Sequence, residues 1–121
     1  MRSHLKWIYN MDCPNLPERL ALYISEVQKM LDANWASYGF THAPAPKVEY
    51  TEGGRYIKVI KQEYSHSGGK TGGSVHTFVD KTNGDILKGN RKAPVKNGVR
   101  GNIFNTPCTQ GVNHHGTIYL R

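Results

Sequence analysis

Five cations, Lys88, Arg91, Lys92, Lys96 and Arg100, are threaded among glycine, asparagine and proline. From Ile86 to Arg121 six basic residues meet no acidic one, whereas the first 85 residues are close to balanced. Positive charge spread along an adaptable backbone suits the phosphates of a nucleic acid, which binds basic segments through charge rather than sequence. Tyr56, Tyr64, Phe78, Phe104 and Tyr119 supply aromatic faces on which bases can stack. The plainer reading is that these aromatics fill a core while the lysines and arginines solvate a surface.

Other reactive types form less of a pattern. Six histidines are present, at positions 4, 42, 66, 76, 114 and 115. His114 and His115 are adjacent, so a strand would send them to opposite faces, and no carboxylate stands at a metal-ligand spacing. No metal or other cofactor is expected. Cys13 and Cys108 lie near opposite ends, and free thiols are the simpler reading than a disulfide. A nucleophile made of Cys108 with His114 or His115 is conceivable chemistry. Ser67-Gly68-Gly69-Lys70-Thr71 has the look of the end of a phosphate-binding loop, yet Tyr64 stands where the first glycine is required. Asp80 and Asp85 flank a turn, where carboxylates ordinarily bond to nearby backbone rather than act as acid and base. No residue is assigned a catalytic role.

The elements that must position these groups are read from periodicity. Leu20, Ile24, Val27, Leu31 and Trp35 recur every three or four residues, one apolar stripe on a helix over 17–38. Asn15 or a neighbour is placed to cap it, Pro17 suits its first turn and Gly39 its end. Arg19, Glu26, Lys29 and Asp32 fall off the stripe and are expected to face solvent. Residues 47–88 read as a mostly antiparallel sheet: 47–51, 55–64, 74–80 and 85–88 as strands, 65–73 as a flexible loop, and Asn83-Gly84 as a hairpin turn. In 74–80, Val75, Thr77 and Val79 are expected on one face and His76, Phe78 and Asp80 on the other. The expected fold class is α+β, one domain over 1–121. Residues 1–16 form an N-terminal extension, the helix packs on the sheet, and 89–121 is a long irregular Gly/Asn/Pro-rich basic segment. No run approaches about 18 apolar residues, so no membrane span is expected. Met1 to Asp12 is charged and lacks the apolar stretch of a secretory signal.

The blocks Ser74-Val75-His76-Thr77-Phe78-Val79-Asp80-Lys81-Thr82-Asn83-Gly84-Asp85-Ile86-Leu87-Lys88, Lys92-Ala93-Pro94-Val95-Lys96, Val99-Arg100-Gly101-Asn102-Ile103-Phe104 and Gly116-Thr117-Ile118-Tyr119-Leu120-Arg121 resemble those of small uncharacterised proteins of tailed phages and environmental viruses. The resemblance covers about residues 20–121. Similar proteins carry an aromatic where this chain has Arg91, and Gly-Pro-Tyr-Gly-like residues where it has His114 and His115. It implies a virus-encoded protein acting in the cytoplasm of the infected host cell, and it supplies no activity. The leading expectation is a non-enzymatic accessory protein whose basic segment contacts nucleic acid. The alternative is a small viral interaction protein that binds and inhibits a host protein, and a small enzyme built on the histidines or Cys108 ranks third.

Overall fold

The computed structural model describes residues 15–39 and 44–118. One helix, α1 (Leu16–Ser37), is followed by five strands: β1 (Lys47–Glu52), β2 (Tyr56–Tyr64), β3 (Lys70–Asp80), β4 (Asp85–Gly89) and β5 (Pro94–Asn102). They form one antiparallel sheet in which strand order follows chain order. The fold is therefore α+β, a helix laid on one face of an antiparallel sheet.

The buried face of α1 consists of Leu16, Leu20, Tyr23, Val27 and Leu31, with Ile24 only half-buried at its margin. It packs on Ile57, Val59, Val79 and Ile86, and Ile103, Cys108 and Val112 close the far end. Burial of each such aliphatic side chain contributes about 1.5–3 kcal/mol, so this layer is the main source of stability. Pro17 sits in the first turn, and Gly39, at φ 68°, ends the helix with its N–H on Ala36 O at 3.0 Å. Asn15 stands at the cap position but in a left-handed conformation, and its side chain makes no capping bond.

Arg19 departs from expectation. It does not face solvent: its Nε donates to Ile103 O at 2.9 Å and its Nη2 to Asn105 O at 2.8 Å, with the guanidinium over the Phe104 ring. A planar fork suits a turn whose carbonyls have no strand partner. Gln28 plays a similar part for β1, donating to Pro46 O and accepting from Val48 N–H.

Three further corrections concern the sheet. First, β3 begins at Lys70, within the stretch read as a loop, because Gly72 and Gly73 pair with Glu63 and Gln62, leaving Ser65–Gly69 as the turn. Second, the segment read as irregular from 89 onward contains β5, so only the 90–93 turn and the part after Asn102 lie outside strands. Two register shifts between β4 and β5, with Asn97 at φ 59°, erase the alternation by which a strand is recognised. Third, His76 does not oppose Thr77. Val59 pairs with Thr77 and Ile60 with Val75, so His76 is the extra residue of a bulge, and a bulge turns two successive side chains to the same side. The His76 and Tyr23 rings are 6.5 Å apart on that side.

On the sheet face away from α1, Phe78 is buried and meets Tyr56 edge to face at 6.4 Å. The 89–94 turn folds over it: a Cβ on Gly89 would lie 2.2 Å from the Phe78 ring, and Lys58 Nζ donates to Arg91 O at 3.0 Å. Asp80 Oδ1 accepts from Thr82 N–H and Oγ1–H, the local bonding expected of a carboxylate at a turn, whereas Asp85 accepts from the Asn102 side chain across the sheet. No helix among the described residues is long and apolar enough to cross a membrane.

Candidate functional site

The five cations of the sequence pattern lie on one hairpin at the edge of the sheet. Lys88 is in β4, Arg91 and Lys92 are in the turn, and Lys96 and Arg100 are in β5; the Lys96 side chain lies outside the described residues. They do not converge on one point. Lys88 and Arg100 line a single pocket. Arg91 borders a neighbouring cleft beside Lys58 and Val75, and Lys92 opens on a third with Tyr56 and Phe78.

The pocket shared by Lys88 and Arg100 has a volume of about 220 Å³. Val75 and Ile118 give it apolar walls, His76, His115 and Thr117 add polar ones, and no carboxylate among the described residues lines it. Its construction depends on the segment after β5 lying close against the sheet. Gly111 is at φ 92°, and a Cβ there would lie 2.2 Å from Arg100 O; Gly116 is at φ 143°, and a Cβ there would lie 2.7 Å from His76 O. Only glycine allows both backbone approaches. Asn113 then pins the turn. Its Oδ1 accepts the N–H groups of His115 and Gly116, and its carbonyl accepts a bond from His76 Nε2 at 2.7 Å.

Arg100 is half-buried, and its guanidinium is divided in use. Nη1 donates to Asn97 O at 3.3 Å and Val99 O at 3.2 Å, while Nε is buried and has no hydrogen-bond partner among the described residues. The surroundings are positive. Burial is the largest cause holding His76 below its ordinary value of 6.5, and Lys61, His114 and His115 push the same way against the bond to Asn113. His114 is likewise lowered, by loss of hydration and then by His115 and Lys61. By contrast, Glu49, Glu52 and Asp80 are engaged by Lys70, Lys81 and Arg55, and none of Arg91, Lys92 and Arg100 has an ion pair among the described residues.

Other candidates are dispersed. Cys108 is buried in the core against α1, and burial pushes its thiol up, the opposite of what a thiolate nucleophile requires. His114 and His115 are in a turn with rings 4.1 Å apart, not on opposite faces of a strand. Among the described residues no three metal-binding side chains gather. Lys70 of the glycine-rich stretch pairs with Glu49. Phe78 is covered, Tyr64 bonds to Glu49, and Cys13 and Tyr119 lie outside the described residues. Sequence reading singled out Lys88 and Arg100 but did not join them to His76, His115 and Thr117. The available signal was Gly111 and Gly116 around a His-His pair in a segment without acidic residues.

A family model described as a family of unknown function (DUF7717) matches residues 10–115. No curated protein and no solved structure matches the chain.

Proposed function

Since the chain belongs to that family of unknown function, its role must be argued from its own residues, and we propose that it is a non-enzymatic nucleic-acid-binding protein. One observation carries the reading: five cations share an edge hairpin, and two of them line one pocket. Lys88, Arg91, Lys92, Lys96 and Arg100 are the phosphate contacts. Such contacts give affinity with little sequence preference. The likeness of the C-terminal blocks to small phage and environmental-virus proteins supports a virus-encoded accessory role in the infected cell.

Fluorescence anisotropy with labelled single strands across a salt series tests it. Five contacts on a single strand predict a log–log salt slope of about −3.5, each contributing roughly 0.7. Replacing Arg91 and Lys92 with Ala lowers that slope by about 1.4 on the same basis. Absence of binding at low salt, or affinity indifferent to salt, refutes the reading.

A second reading rests on a separate feature. Between α1 and β1 lies an apolar groove of about 560 Å³ lined by Leu20, Ala21, Ile24 and Tyr50, and Tyr50 is exposed. That surface suits a host protein partner. In that case Ala21→Glu abolishes a host-protein complex while nucleic-acid affinity stays unchanged.

A further inference from the structure

Resting on the nucleic-acid reading, we infer that the sheet face away from α1 takes up the bases of a single strand, in two clefts flanking the 89–94 turn. A duplex offers a protein mainly its phosphates, because its bases are paired and stacked. A single strand offers its bases as well, and unstacked bases settle on apolar and aromatic surface flanked by positive charge.

Both kinds of surface meet on this face. One cleft, of about 460 Å³, runs over Ile60 and Val75, which pair across β2 and β3, with Asn90 and Arg91 of the turn at its side. Ile60 and Val75 are half-exposed, and Gly73 and Gly89 beside them have no side chain to fill the space. The other cleft, of about 410 Å³, is walled by Tyr56, Phe78 and Pro94, with Lys92 on its turn side. Each volume lies within the ~300–1,000 Å³ typical of sites that enclose a small molecule, which is room for a base and its sugar. Tyr56 is positioned in advance: it meets Phe78 edge to face, and the Arg55 guanidinium lies 5.3 Å from its ring centre. Lys58 lines both clefts, and the bond from its Nζ to Arg91 O at 3.0 Å ties the turn to the sheet between them. Asn90 Oδ1 braces the same turn by accepting the N–H groups of Lys92 and Ala93. The turn is thus a fixed ridge carrying Arg91 and Lys92, both exposed, where the phosphate between two neighbouring bases crosses it. Among the described residues lining the clefts the one carboxylate, Glu52, is held by Lys81 at 2.7 Å. Binding phosphate alone requires no apolar floor; cations set beside one select a strand whose bases are free.

The test compares labelled single strands of one length, with bases and abasic, by fluorescence anisotropy. The strand with bases binds roughly tenfold tighter, the gain expected from stacking one base. Tyr56→Leu and, separately, Ile60→Ala bring that ratio toward one by weakening the strand with bases, whereas Lys92→Ala weakens both strands alike. Leucine keeps an apolar contact for Phe78, and Ile60 is half-exposed, so if one variant fails to fold the other still reports on its own cleft. Equal affinity with and without bases in the unaltered protein overturns the inference while leaving salt-sensitive binding intact. So does a duplex whose affinity falls with Tyr56→Leu as far as the single strand's. If neither strand binds, the nucleic-acid reading fails, and an NMR titration with adenosine decides the clefts alone. Shifts at Tyr56 and Ile60 that weaken in Ile60→Ala assign them to the base of a free nucleoside, and no shifts overturn them as a base site.

Discussion

Thr77→Val tests the polar chain that crosses the core. Asn113 O can only accept, so the bond at 2.7 Å places a proton on His76 Nε2 and leaves Nδ1 as an acceptor in the neutral ring. Thr77 Oγ1 lies 3.1 Å from Nδ1 and therefore donates to it, and Tyr23, whose hydroxyl is 2.7 Å from Oγ1, donates to Thr77. Thr77 is thus both acceptor and donor, and Tyr23 and Thr77 are fully buried. Valine keeps the shape and the strand preference but orphans the Tyr23 hydroxyl and the His76 nitrogen together. At about 1–3 kcal/mol for each unsatisfied buried group, the cost is roughly 2–6 kcal/mol. Tyr23→Phe removes only the end of the chain and leaves Thr77 bonded to His76, so it costs about 1 kcal/mol. Placed in the Thr77→Val background, Tyr23→Phe removes an orphan and becomes neutral or stabilising. Urea unfolding of the two single variants and the double variant measures the coupling, expected at about 2 kcal/mol. Equal single costs that simply add would refute this direction of donation.

The same chain sets a pH dependence. Because burial lowers the folded pKa of His76 below 6.5, the unfolded chain takes up the proton first, and stability is full above about pH 6.5 and falls as the pH drops toward the depressed value. Unfolding of wild type and His76→Gln between pH 7 and 5 checks this, with their difference narrowing as the pH falls. Gly116→Ala places a Cβ 2.7 Å from His76 O at a φ of 143°. Its cost is about 1–3 kcal/mol or more by thermal or urea unfolding. Arg19→Met orphans the carbonyls of Ile103 and Asn105. It destabilises by about 1–3 kcal/mol, and hydrogen exchange quickens first in the turns after Asn102.

What sequence reading recovered and missed follows from the range of each interaction. The stripe is local, and its Leu20, Val27 and Leu31 are buried as expected, whereas its Ile24 and Trp35 are only half-buried. Tyr23 and Arg19 escaped it because their roles depend on Thr77 and on two carbonyls more than 80 residues away. The 85–89 strand and its turn were visible because Gly84 and Asn83 act on their immediate neighbours. β5 was hidden by its bulges, since alternation is the only local sign of a strand and each extra residue resets it. The cations were evident as a list. Their division among three clefts depends on how the 89–94 turn folds over β2 and β3 and how the 111–117 segment meets β3 and β5, which no spacing along the chain encodes.

The order of the sheet also has a kinetic consequence. Each strand pairs with the next in the chain, so hairpins close over short loops and assemble within microseconds of leaving the ribosome. The helix has to wait. Arg19 meets Asn105 across 86 residues, and at roughly 5–20 residues per second that partner is synthesised about 4–17 s later. Until then the end of α1 bearing Leu16 and Arg19 lacks its cover, and Ile103, Cys108 and Val112 act as the closing seal on a nascent chain otherwise already folded.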